Sequence, residues 1–176
     1  MQLTVLPLLA ERMEEEFDVF EVLLKTLEKN NAKLENGDVL VISTKYISNS
    51  QGRIVDLEKI RASEEGLKVS KTYQLKSEIA EIIIRESDKI FGGIGGFVIT
   101  SSDNIMAPNA GIDKSNARKG RAILYPTNPY HTAEEIRRKI FLKFSILPNS
   151  YGLKLVKLVL KRICIRQIDL IFLKCF

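Results

Sequence analysis

The stretch FVITSSDNIMAPNAGIDKSN, residues 97–116, decides how the chain is read. Residues 97–100 are apolar or β-branched and favour a strand. Ser101-Ser102-Asp103-Asn104 is turn chemistry, and residues 105–107 return as a second strand, so the segment predicts a hairpin. The remainder, PNAGIDKSN, is too polar and too broken to be core. Asn109-Ala110-Gly111 predicts a tight turn that aims the following residues into one place.

Outward from the hairpin, helical and strand patterns alternate. Residues 3–9 form a short apolar run broken by Pro7, which predicts an edge strand or strand-to-loop entry. Residues 17–29 carry Phe17, Phe20, Leu23, Leu24 and Leu27 at helical spacing. NNAKLENGD then reads as a loop. Val39-Leu40-Val41-Ile42 is apolar at every position and predicts a strand buried on both faces. SNSQG, residues 48–52, reads as a turn, and RIVDL as a second short strand. Ser63-Glu64-Glu65 could open a helix that Gly66 weakens. Residues 77–89 predict a helix with Ser77 as its N-cap and Ile79, Ile82, Ile83 and Ile90 on one face. GRAILYP predicts one more strand. Thr132-Ala133-Glu134-Glu135 is a capping box that starts a helix ending near Phe144. Early alternation with a central hairpin predicts an α/β or α+β domain: a mixed sheet with flanking helices and a C-terminal helical or extended tail.

The 176 residues suit a body over 1–150 and a tail over 151–176. Of 27 Lys and Arg and 22 Asp and Glu, the tail holds six basic residues and one acid, leaving 21 of each sign in the body. The net charge of +5 therefore lies in the tail, and a neutral body argues against nucleic-acid binding. Both cysteines, Cys164 and Cys175, lie there too, too few for a disulfide framework. The start of the chain turns acidic within about ten residues and lacks a signal peptide's basic region. No apolar run reaches transmembrane length. These features predict a cytoplasmic, reducing setting. LKLVKLVLKRICIRQIDLIFLKCF can be read as a docked amphipathic helix, a membrane-surface helix, or out-of-frame translation. If it folds, residues 170–173 must be covered, which predicts a homo-oligomer such as a dimer.

Three segments are candidates for chemistry. GGIGG, residues 92–96, lies between a helix and a strand, the reverse of a phosphate-cradling loop, so a turn is favoured. His131 is the sole histidine, has no nucleophile to serve, and reads as an exposed residue near a helix start. In NAGIDKSN, Asp113 offers a hard oxygen ligand for Mg²⁺ or Mn²⁺ alongside substrate phosphate. Lys114 and Asn116 offer donors to phosphate or base. The plainer alternative is an Asx-turn loop in which Asp113 satisfies local amides, and composition alone favours it.

LPLL at 6–9, GDVLVIST at 37–44, QGRIVDL at 51–57, RES at 85–87, NAGIDKSN at 109–116 and TNPYHTAEEIRRKI at 127–140 occur in that order. The ordered set resembles the N-terminal part of the coenzyme F-420-0:L-glutamate ligases over about residues 1–152. The resemblance implies a GTP-dependent enzyme that adds γ-linked L-glutamate to a deazaflavin coenzyme, with Mg²⁺ or Mn²⁺. It places guanine nucleotide contacts on Leu6, Pro7, Leu8, Leu9, Thr44, Lys45 and Asn116. It makes Asp113 a metal ligand, with Asn149 and Ser150 at a second metal segment. The sequence departs from the family in three places. Asn49 stands where a lysine is expected, and Asn149 stands where an aspartate is expected. Nothing after Gly152 resembles the family's Gly-rich second half. The expectation is a ligase-like chain, incomplete and with reduced or no activity alone. The alternative is a non-catalytic truncated homologue acting as an oligomeric nucleotide-binding or structural protein.

Overall fold

A computed structural model describes residues 3–13, 16–114, 120–146 and 170–175. The first half of the element order is β1 (Leu3–Leu8), α1 (Val19–Lys29), β2 (Val39–Ile42), α2 (Thr44–Ser50), β3 (Ile54–Asp56), α3 (Glu64–Tyr73) and α4 (Ser77–Arg85). It continues with β4 (Lys89–Ile94), β5 (Phe97–Ser102), β6 (Ile105–Pro108), β7 (Arg121–Ile123), α5 (Pro129–Phe144) and β8 (Leu170–Cys175). The expected α/β class holds. The strands divide among three small sheets, ordered β1-β8-β2, β3-β7 and β4-β5-β6, in place of one mixed sheet. Every strand pairing is antiparallel. Two compact units form: Met1–Gly52 with Pro126–Phe176, and Arg53–Tyr125.

In the first unit, α1 starts on Asp18, whose Oδ1 accepts from the amides of Phe20 (2.7 Å) and Glu21 (3.3 Å). This satisfies donors that a helix start otherwise leaves unpaired. Its spaced apolar residues Phe20, Leu23 and Leu27 join Leu8, Leu40, Ile42, Tyr46, Ile47, Ile136 and Ile140 in one core. Lys139 on α5 reaches Asp18 Oδ2 at 3.3 Å. The expected two-sided burial of β2 is corrected: Leu40 and Ile42 are buried, while Val39 and Val41 are half-buried. SNSQG is largely the end of α2, because Tyr46, Ile47 and Ser48 are buried there. The Ser48 and Ser50 hydroxyls bond back to the Thr44 and Ile47 carbonyls (2.9 and 2.7 Å), so serine is accommodated in a helix it does not favour. α5 begins three residues before the expected capping box, with Pro129 in its first turn and Asn128 as N-cap. Proline is preorganised for that position.

In the second unit, Ser63 caps α3 by accepting from the Gly66 amide (3.1 Å). Glu81 on α4 accepts from the Ser63 amide and hydroxyl (2.8 and 2.7 Å) and from Arg85 Nε (2.8 Å). Those bonds to Ser63, with Arg85 adding to them against the cost of burial, hold its carboxyl at a pKa of about 2. Helix α4 ends at Arg85, short of Ile90, which enters β4 and packs from there against Ile79 and Ile83. The glycine run is also corrected. Gly92 and Gly93 lie within β4, where a Cβ on Gly93 would stand 2.1 Å from the Phe97 carbonyl oxygen. The hairpin turns at Asp103-Asn104, both at positive φ (49° and 61°), the geometry of a two-residue hairpin turn.

Candidate nucleotide and metal site

The predicted site residues fall in both units, and each group is described within its own. In the second unit, Asn109, Ala110 and Gly111 all take left-handed backbone, at φ 48°, 53° and 71°. Asparagine and glycine tolerate this; alanine there costs roughly 1–2 kcal/mol. Three contacts offset the cost. The Ala110 amide donates to Thr100 Oγ1 at 3.0 Å. Asn109 Oδ1 accepts from the Val98 amide at 2.9 Å, and its Nδ2 donates to the Gly96 carbonyl at 3.3 Å. Ala110 is also buried, against Ile79 and Ile83. Gly111 packs under Tyr125, whose ring would stand 2.7 Å from any Cβ added there. The chain leaves this turn into an isolated bridge: the Asp113 amide donates to the Ile123 carbonyl (2.8 Å), and the Ile123 amide returns the bond (2.9 Å). Both backbone groups of Asp113 are thus bonded to Ile123, and the residue is half-buried. Lys114 is exposed.

In the first unit, β8 lies between β1 and β2, and Leu170 faces Leu8 on one side and Ile42 on the other. Strands β1 and β2 therefore run in the same direction, about 9–10 Å apart across β8. Their carboxyl ends meet one edge of the sheet. Leu9 leaves β1 there, and Ser43, Thr44 and Lys45 leave β2 there. Leu6, Pro7 and Leu9 are exposed and Leu8 is buried; Thr44 and Lys45 are half-buried.

Two conspicuous motif residues act as braces. Gln51 Oε1 accepts from the Thr127 amide (2.9 Å) and its Nε2 donates to the Thr127 carbonyl (3.2 Å). Within the other unit, Arg53 Nε donates to the Tyr125 carbonyl (3.2 Å) and its guanidinium pairs with Glu86. QGR, RES and the Tyr-Pro-Thr segment thus carry side-chain bonds that sequence spacing alone leaves unassigned. Sequence reasoning also missed Thr100, which read as one more strand residue. His131 is exposed, as expected, but lies within the first turn of α5 and not in a loop before it, 3.6 Å from Glu135.

The model of the F420-0:gamma-glutamyl ligase family matches residues 8–147. The chain belongs to this family. Among similar proteins is the coenzyme F420:L-glutamate ligase of Methanopyrus kandleri, 32% identical over 118 residues, 66% of this chain and 47% of that protein. The Archaeoglobus fulgidus ligase is 31% identical over 117 residues, again 66% and 47%. That of Methanocaldococcus jannaschii is 34% identical over 108 residues, 61% and 43%. The chain therefore spans about half the length of the curated relatives it matches.

Three residues that the ligase resemblance assigns, Asn116, Asn149 and Ser150, lie outside the described residues, as do residues 151–169 of the tail. Residues 170–175 are extended, as β8. Asn49, where the ligase resemblance expects a lysine, lies on α2 with its Oδ1 buried and unpaired among the described residues. Among the described residues no group of three or more His, Cys, Asp or Glu side chains could hold a metal ion. No helix among them is long and apolar enough to cross a membrane. One carboxylate on a fixed backbone fits a hard dication shared with substrate phosphate, the mode Mg²⁺ commonly uses.

Proposed function

We propose that this chain carries nucleotide- and metal-binding parts of a GTP-dependent γ-glutamyl ligase acting on coenzyme F420-0, and that alone it has reduced or no ligase activity. The observation that carries the reading is the register that sets Leu8 and Ile42 on either side of Leu170. It supports a guanine nucleotide against Leu6–Leu9, Thr44 and Lys45. Asn116 would add a nucleotide contact, and Asn149 and Ser150 the second metal segment. Asp113 would hold Mg²⁺ or Mn²⁺, and the ion would neutralise phosphate charge. Phosphoryl chemistry is catalysed chiefly by such positioning and charge neutralisation. The deazaflavin and L-glutamate are the remaining substrates.

Two observations favour incompleteness. The chain spans 43–47% of the relatives' length, and a half-buried neutral side chain, Asn49, stands where the resemblance expects a lysine. The division into a ligase-like body (1–150) and a basic tail (151–176), a cytoplasmic setting and a homodimer belong to the same reading. Exposed Phe91, Ile94, Phe97 and Met106 give the second unit an apolar surface consistent with self-association.

Calorimetry with GTP and Mn²⁺ tests the binding claim. Heat is expected from the wild-type chain, with Asp113→Asn losing the Mn²⁺-dependent part. Folded wild-type protein with no heat of GTP binding overturns the claim. A glutamyl-transfer assay with coenzyme F420-0 and L-glutamate tests incompleteness, and turnover at the rate of a full-length relative refutes it.

A further inference from the structure

We infer that Thr100, assisted by Asn109, is the positioning residue that sets the Asp113 carboxylate; its consequence for metal affinity rests on the proposed metal role of Asp113. Thr100 is almost wholly buried (1% exposed) on β5, and a threonine in that place needs its hydroxyl satisfied. It is used in both directions. The hydroxyl donates to the Ala107 carbonyl at 2.8 Å and accepts from the Ala110 amide at 3.0 Å. One side chain therefore ties the end of β6 to the middle of the left-handed turn. Asn109 ties the turn's first residue to Val98 and Gly96, on the far side of the same hairpin. An alanine at φ 53° persists only where its surroundings over-determine it. Without the Thr100 acceptor, the Ala110 amide is buried and unpaired, and the turn relaxes toward ordinary backbone. Ile112 and Asp113 follow directly, so the relaxation is passed to the Asp113–Ile123 bridge and to the direction of the carboxylate.

The test is amide hydrogen exchange on the full chain, in Thr100→Val and Thr100→Ser. In the valine variant, exchange at Ala110, Asp113 and Ile123 is expected to quicken at least tenfold, while Ile83 in α4 keeps its protection. The serine variant restores the hydroxyl and is expected to match wild type. Retained protection of Asp113 and Ile123 in the valine variant overturns the inference. Should that variant not fold, Asn109→Gly removes the second anchor at a backbone angle glycine accepts, and is read the same way. A second measurement follows free Mn²⁺ by its paramagnetic resonance in the presence of GTP. Weakening of Mn²⁺ binding by about tenfold or more is expected in the valine variant, with recovery in serine, which a purely structural role would not produce. Wild-type affinity in the valine variant overturns the inference. Absence of Mn²⁺ binding in wild type overturns the metal role of Asp113 instead, and the exchange data still decide the positioning.

Discussion

The side-chain amide of Gln51 pairs with the backbone of Thr127 in both directions, accepting from its amide at 2.9 Å and donating to its carbonyl at 3.2 Å, across 76 residues of sequence. Its Oε1 also takes the Thr127 hydroxyl at 3.2 Å. A glutamine used this way imitates a neighbouring strand and holds the entry to α5. Each such bond contributes roughly 0.5–1.5 kcal/mol net. Gln51→Ala is expected to lower stability by about 1–2 kcal/mol, read as a reduced urea midpoint. Gln51→Glu is expected to cost at least as much, because it sets a carboxylate against the Thr127 carbonyl. An unchanged midpoint in both variants would sink the brace.

The Glu81–Ser63 contact makes stability depend on acid. The carboxyl titrates at about 2 in the folded chain against an ordinary value of 4.5. A depressed folded pKa contributes stability fully above the ordinary value, and loses it as pH falls toward the folded one. The stability gap between wild type and Glu81→Gln is therefore expected to be constant above about pH 5.5 and to close between pH 4.5 and 2. Chemical denaturation across that range checks it. A gap that does not change with pH would show that Glu81 acts only through shape.

Gly111 combines a positive φ of 71° with the Tyr125 ring 2.7 Å from any added Cβ. Gly96 has a similar φ of 77° but open space around it. Gly111→Ala is expected to destabilise by about 2 kcal/mol or more, and Gly96→Ala by about 1 kcal/mol, since only the first adds a steric clash to the backbone penalty. Thermal melts of the two variants side by side check the ranking, and equal losses would contradict it.

Strand β8 is the partner of both β1 and β2. Ending the chain at residue 169 removes all of their ladder bonds at once. The shortened chain is expected to lose exchange protection in β1 and β2 while amides of α4 in the other unit remain protected. Persistent protection of β2 in the shortened chain would show that β8 is dispensable.

The class of fold was legible because local patterns are strong where one face is apolar. The spacing of Phe20, Leu23 and Leu27 marked α1, and the Ser-Ser-Asp-Asn run marked the hairpin between β5 and β6. Legibility failed where tertiary burial overrode local chemistry. Ser48, Asn49 and Ser50 look like turn residues, yet burying Tyr46 and Ile47 commits them to α2. Gly92 and Gly93 look like a flexible linker, yet the close approach of Phe97 makes Gly93 part of β4. Asp113 was legible as a candidate from its own loop, whereas Leu6–Leu9, Thr44 and Lys45 were so only through the order of motifs. Thr100 was not, because a hydroxyl's partners lie across a hairpin and leave no mark on spacing.

The sequence by itself determined that helices and strands alternate, that α1 and α4 each carry an apolar face, and that PNAGIDKSN is a sharp polar turn carrying an aspartate. These follow from periodicity and backbone preference, which act over a few residues. Only the tertiary structure decided that residues 170–175 enter between β1 and β2, that Gln51 and Arg53 are braces, and that Thr100 anchors the turn before Asp113. Strand pairing and side-chain hydrogen bonds join residues far apart in the chain, and their choice rests on the packing of the whole core.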